Sequence, residues 1–189
     1  MRPRLQIIVS STRPGRIGLP IAEWFASEAT AHDTFEVDFA DLAAIGLPLL
    51  DEPHHPRLGN YQHDHTKAWS ERVAAADAFA LVTPEYNHGF PAPLKNALDF
   101  LYREWNHKPV GFVSYGGVAA GTRAVALLKP VLLALQLVPV VQTVAIPFAG
   151  RRIVDGRFDP PEGLDAAARA MLDALARHVD VLASLRSAE

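Results

Sequence analysis

The chain contains no cysteine. That absence excludes a disulfide framework, a thiolate zinc site, a cysteine nucleophile and a cysteine-ligated iron–sulfur cluster. It is compatible with a reducing compartment. Long hydrophobic runs are missing too, and no apolar stretch approaches the roughly 20 residues that span a bilayer. Met1-Arg2-Pro3-Arg4-Leu5 leads straight into a short apolar segment, with no small-residue cleavage site after it. No signal peptide is therefore expected, and the cytoplasm is the expected location. Neither sign of charge is in large excess. A net charge of −3 and a pI near 6.2 give no reason to expect a nucleic-acid or membrane partner. Internal repeats and low-complexity tracts are also absent.

What is present is a globular composition, 49% hydrophobic and 21% charged over 189 residues. That length fits one domain spanning 1–189. Short apolar runs alternate with helical periods. Residues 5–9 read as a buried strand, and Ile21, Ala22, Phe25, Ala26 and Ala29 repeat at helical spacing after Gly18. Residues 35–39 alternate as a strand. Residues 41–64, with Pro48, Pro53, Pro56, His54, His55 and His63, read as a long surface loop and a candidate for function. A helix over 67–76 precedes a strand over 78–83, and another helix starts near Pro91 to Pro93 with Leu94, Ala97, Leu98 and Leu101 on one face. Further strands are expected over 110–114 and, toward an edge because of its prolines, 139–145. Helices are expected over 123–137 and 164–185. Such alternation predicts an α/β fold: a five-stranded parallel sheet of order 2-1-3-4-5, helices on both faces, and a ligand crevice at the carboxyl ends of its strands.

Three unusual loops follow strands one, three and four of that arrangement. The first, Ser10-Ser11-Thr12-Arg13-Pro14-Gly15-Arg16-Ile17-Gly18, gathers hydroxyls, backbone N–H groups and two arginines before a helix. Oriented donors, a helix dipole and cationic forks are what a phosphate requires. The plainer alternative is that Ser and Thr cap the helix while the arginines are solvated. The loop has neither the Lys-Ser/Thr ending of a Walker loop nor a dinucleotide glycine fingerprint.

The second loop, Thr83-Pro84-Glu85-Tyr86-Asn87-His88-Gly89-Phe90-Pro91, leads into Leu94-Lys95-Asn96-Ala97-Leu98-Asp99. Its prolines and glycine restrict the backbone and could present amides to a flat ring, with Tyr86 as an aromatic wall and Asn87 as donor and acceptor. An ordinary strand-to-helix turn is the alternative. The third, Ser114-Tyr115-Gly116-Gly117, allows close backbone approach to a ligand. It lacks the Gly-x-Ser-x-Gly spacing of a nucleophile elbow.

Taken together, these loops resemble the NADPH-dependent FMN reductase family of flavodoxin-like proteins, which includes quinone, azo-dye and chromate reductases. The resemblance runs over about 5–141. Its most specific part is Pro84-Glu85-Tyr86-Asn87 followed by Pro91, Leu94-Lys95-Asn96-Ala97 and Asp99. It implies that Ser11, Thr12, Arg13, Arg16, Ile17 and Gly18 hold the FMN phosphate. Pro84, Glu85, Tyr86 and Asn87 would line the isoalloxazine, and Ser114, Tyr115, Gly116 and Gly117 would close its other side. Two positions depart from the common pattern: Ser10 stands where glycine is frequent, and His88-Gly89 where serine is.

The implied chemistry is a flavin cycle in which NADPH or NADH gives a hydride to FMN and a quinone or similar small acceptor then takes the electrons. No side chain is expected to act as catalytic nucleophile, acid or base. The Gly116-Gly117 backbone is the expected donor to the reduced ring. A homodimer or homotetramer is implied as well. Two other classes remain open: a flavodoxin-type electron carrier, disfavoured by the mild charge, and a flavin-binding redox sensor. His54, His55, His63 and His65 invite a metal site, but a substrate-side lid or subunit contact is the expected role. Trp69, Tyr102 and Trp105 are expected in the core or at an interface.

Overall fold

In the computed structural model, which describes residues 2–186, β1 (Arg4–Val9), β2 (Glu36–Asp41), β3 (Ala78–Pro84) and β4 (Pro109–Tyr115) pair in parallel. The edge beyond β4 is made by two short pieces, β5 (Val138–Pro139) and β6 (Val144–Ile146), both parallel to β4. The strand order is β2-β1-β3-β4-β5, as expected, with the fifth strand divided rather than continuous over 139–145. Between the pieces only Val140 bonds to β4, its N–H reaching the Val110 carbonyl at 2.9 Å.

The central strands are buried on both faces, so their runs are continuously apolar. Leu5, Ile7 and Val9 of β1 point into one core with Ala78, Ala80 and Val82 of β3. That core is closed by α1 (Gly18–His32) and α6 (Leu164–Arg186), whose Ile21, Phe25, Met171 and Leu175 are buried in it. The small alanines of β3 let these helices approach closely. Gly111 does the same in β4, because a Cβ there would meet the Met171 sulfur at 2.7 Å. Phe79, Leu81 and Phe112 point the other way, into a core covered by α3 (Asp64–Ala74), α4 (Ala92–Asp99) and α5 (Thr122–Ala134). Trp69 and Trp105 are fully buried there, as expected, and lie edge-on at 6.1 Å.

Three helix ends differ from expectation, α3 also stopping at Ala74 rather than 76. α3 begins at Asp64 rather than 67, because its first turn, Asp64-His65-Thr66, is polar and carries no apolar period. α5 stops at Ala134 rather than 137. Gln136 is left-handed at φ +57°, its N–H bonds to the Leu133 carbonyl at 3.0 Å, and the Leu137 N–H bonds to Leu132 at 3.0 Å. That is a Schellman termination with glutamine where glycine is usual. Within the segment 41–64, residues Leu42–Ile45 form the short helix α2, and Pro56–Leu58 form a single tight turn. A small hairpin, β7 (Ile153–Val154) and β8 (Arg157–Phe158), precedes α6. No helix among the described residues is long and apolar enough to cross a membrane.

Candidate functional site

The registers Val9↔Val82, Thr83↔Ser114 and Pro84↔Tyr115 bring the carboxyl ends of β1, β3 and β4 to one level. The three loops leave the sheet there and enclose a cleft of about 240 Å³. It is lined by Ser11, Arg13, Arg16 and Ile17 from the first loop, Pro84, Glu85 and Tyr86 from the second, and Tyr115 and Gly116 from the third. Gly150 completes the wall and was not anticipated.

The first loop does not cap α1. Ile17 occupies the cap position with no side-chain hydrogen bond, Ser10 Oγ donates to the Val82 carbonyl at 2.8 Å, and Ser11 Oγ shares a 2.7 Å hydrogen bond with the Tyr86 hydroxyl. The N–H groups of Gly18 and Leu19 meet no acceptor among the described residues. The first turn of α1 therefore carries uncapped donors and a positive dipole end next to Ile17, which lines the cleft. Arg13 is exposed and forms no ion pair among the described residues. Arg16 is committed elsewhere: its two terminal nitrogens hold both Asp41 oxygens at 2.5 Å, and one also donates to the Ser11 carbonyl at 2.6 Å. Bonding to Asp41, opposed by burial, raises the Arg16 pKa, and the same bond holds Asp41 below the usual carboxylate range. Thr12 faces the far side of the loop, onto a separate apolar depression of about 350 Å³ beside Leu42, Leu47, Leu49 and Pro93.

In the second loop, Tyr86 and Gly89 exchange two backbone hydrogen bonds of 2.9 Å around Asn87 and His88, which are left-handed at φ +49° and +68°. Consecutive residues of that hand make a type I′ turn, where asparagine is favoured. Asn87 thus stands at the tip of the turn, while Tyr86 faces the cleft. The Glu85 side chain is 7% exposed and receives Arg123 Nε at 2.7 Å and the Arg123 backbone N–H at 3.2 Å. It caps α5 from another loop. Burial works against its charge, but Arg123 outweighs it and the carboxyl stays below its ordinary range. Asn96, from the motif after this loop, clamps residues 48–50: its Nδ2 donates to the Pro48 carbonyl at 2.6 Å and its Oδ1 accepts from the Leu50 N–H at 2.9 Å.

In the third loop, Ser114 Oγ donates to the Ala120 carbonyl at 2.8 Å and is buried away from the cleft. The Gly116 N–H is taken by the Ile146 carbonyl at 3.2 Å, whereas the Gly117 N–H has no acceptor among the described residues. Of the two amides expected to face a ligand, only that of Gly117 is available. A Cβ at Gly117 would meet nothing within 4 Å, so the backbone is open to a flat group. Phe148 and Ala149 donate to the Gly117 and Gly116 carbonyls at 3.1 Å each, which explains how Gly150 reaches the cleft. Nothing local in Phe148-Ala149-Gly150 signals this, because the contact depends on where β6 ends.

The donor set suits a phosphate, and the open glycine backbone suits a planar ring. His63 and His65 lie outside this cleft, stacked at 5.2 Å, with His65 Nε2 3.0 Å from Asp51 Oδ1. Among the described residues, no group of three or more His, Cys, Asp or Glu side chains could hold a metal.

A parallel 2-1-3-4-5 sheet with three loops converging on one cleft defines a flavodoxin-like protein. FerB from Paracoccus denitrificans, a flavoenzyme NAD(P)H:(acceptor) oxidoreductase, shares the fold with a TM-score of 0.73 at 24% identity, over 93% of this chain and 98% of its own. An NAD(P)H-dependent FMN reductase of Schizosaccharomyces pombe is 41% identical over 162 residues, covering 84% of this chain and 80% of the relative. A 2-hydroxy-1,4-benzoquinone reductase of a Burkholderia species is 32% identical over 127 residues, 65% of each chain. The sequence profile of the NADPH-dependent FMN reductase family matches residues 3–151. The chain belongs to that family and is an enzyme, a flavin-dependent oxidoreductase.

Proposed function

We propose that the cleft holds FMN, with its phosphate at the N-terminus of α1, and that the enzyme passes electrons from NADH or NADPH to a quinone or similar small acceptor. The uncapped first turn of α1, beside an Arg13 that forms no ion pair among the described residues, carries this reading. When bound, FMN supplies the two-electron chemistry between nicotinamide and acceptor. The chain supplies binding and orientation. Ser11, Arg13, Ile17 and Gly18 form the phosphate side, with Arg16 shaping the loop through Asp41 and Thr12 turned to the separate depression. Pro84, Glu85 and Tyr86 form the second wall, Tyr86 being fixed by its bond to Ser11, with Asn87 at the tip of the turn that holds them. Tyr115, Gly116 and Gly117 form the third wall, with Ser114 held behind it by Ala120, and the Gly117 N–H, which has no acceptor among the described residues, is the donor available to stabilise growing negative charge.

No side chain is assigned as nucleophile, acid or base. A quinone acceptor is supported by the Burkholderia relative, a 2-hydroxy-1,4-benzoquinone reductase. We place the whole chain in one FMN-binding domain, acting in the cytoplasm as a homodimer or homotetramer. The test is purification followed by absorbance spectroscopy and steady-state assay. A yellow protein that consumes NADPH or NADH when given a benzoquinone supports the reading, and a colourless one that stays flavin-free after FMN is added sinks it.

A further inference from the structure

Tyr115 ends β4, and its side chain reaches across the end of the sheet to α1. A Cβ on residue 18 would stand 2.3 Å from the Tyr115 hydroxyl oxygen and 3.1 Å from Cζ. Glycine is therefore what lets the hydroxyl lie against the first turn of α1. Tyr115 is only 4% exposed, and its hydroxyl has no hydrogen-bond partner among the described residues. The Ser11 hydroxyl stands close enough to lower the Tyr115 pKa, but its 2.7 Å hydrogen bond is shared with Tyr86. A buried hydroxyl left unpaired is costly, and such a group calls for an explanation.

The surroundings supply one. The charges of Arg16 and Arg13 both act on this hydroxyl, and Tyr115 lines the same cleft as Arg13 and Ser11. The Gly18 and Leu19 N–H groups have no acceptor among the described residues at the same helix end. Helix amides, a guanidinium and a phenol thus converge without an acceptor among them. A tetrahedral dianion with several oxygens satisfies all three kinds of donor at once.

We infer that the Tyr115 hydroxyl is a phosphate ligand, donating to the 5′-phosphate of FMN at the N-terminus of α1, and that it strengthens the preference of the site for FMN over riboflavin. The inference rests on the assignment of the cleft to FMN. Burial, with the neighbouring Tyr86, raises the Tyr115 pKa above its ordinary value, so the group remains a donor across the physiological range.

The test is a titration of flavin-free wild-type protein and Tyr115→Phe with FMN and, separately, riboflavin, read by flavin fluorescence, with the melting temperature of each flavin-free protein. The expected result is an FMN Kd raised about tenfold or more, an unchanged riboflavin Kd, and a melting temperature at or above wild type. The last follows because an unpaired buried hydroxyl is removed. Equal weakening of both flavins, an unchanged FMN Kd, or a clear fall in melting temperature would each overturn the inference. Wild-type protein that binds both flavins equally also overturns it while leaving the flavin site standing. Wild-type protein that binds neither overturns the FMN assignment itself, and this inference with it.

Discussion

Arg16 and Asp41 form a two-pronged ion pair, nitrogen to oxygen at 2.5 Å on both prongs, that ties the loop after β1 to the end of β2. Asp41 also accepts the Ala43 N–H at 3.0 Å and so caps α2. One carboxylate thereby sets the positions of two segments flanking the cleft.

Asp41→Asn should therefore weaken FMN binding without removing any group that touches it, and should cost about 2 kcal/mol of stability. The pair also makes stability depend on acid. Asp41 has a depressed folded pKa, so its contribution is complete above the unfolded value near 3.9 and is lost as pH falls through the folded pKa. Urea denaturation between pH 5 and 2, as working conditions, should show a shallower acid slope in the variant. Superimposable slopes would remove Asp41 from the account.

Arg13→Ala and Arg16→Ala should separate affinity from stability. Arg13 is exposed and makes no ion pair among the described residues, so its loss should leave the melting temperature unchanged and raise the FMN Kd roughly tenfold. Loss of Arg16 leaves Asp41 partly buried and unpaired, so that variant should also melt earlier. Full flavin content in purified Arg13→Ala would contradict the phosphate assignment.

Asn87→Val places a β-branched residue at φ +49°, in a region such side chains avoid. A cost of about 1–2 kcal/mol is expected from the left-handed backbone alone. The turn holds Tyr86 in register with Gly89, so disturbing it should loosen the Tyr86–Ser11 bond as well. Calorimetry and FMN titration together measure the two effects. Unchanged values in both would mean that the turn is not a constraint on the site.

Lys108 is nearly buried at the start of β4, where its ammonium donates to the Val73 and Ala74 carbonyls at 2.9 and 3.0 Å, at the end of α3. Burial, partly offset by Asp77, lowers its pKa to about 8. The unfolded chain then binds more protons than the folded one between about pH 8 and the ordinary lysine value near 10.4. Stability should accordingly rise with pH across that window, by an amount on the order of 2 kcal/mol from this group. Lys108→Met should flatten the rise. Parallel curves for the two proteins would show that Lys108 does not titrate in that window.

Much of the fold was legible because its signals are local. Continuous apolar runs marked β1, β3 and β4, and helical periods marked α1, α4 and α6. Gln136 shows where local reading stops, since it ends α5 in a conformation that sequence alone associates with glycine. The loops of the site were legible as segments, but the tasks of their side chains were not. Arg16 looks like Arg13 in sequence, yet its partner Asp41 lies on another strand. Ser114 looks available, yet its hydroxyl is bonded to Ala120. Such assignments depend on which chain segments meet after folding, and no spacing rule encodes them.

The divided edge strand has a consequence for how a bound group leaves. Phe148 and Ala149 pin the Gly116–Gly117 wall, and they follow directly from β6, a strand of three residues beyond a two-residue β5. Short, one-sided pairing is where sheets open locally, well below the free energy of global unfolding. The exit barrier for a flavin is therefore tied to fraying of this margin, and amide hydrogen exchange at Ile146, Phe148 and Ala149 should slow when the cleft is filled.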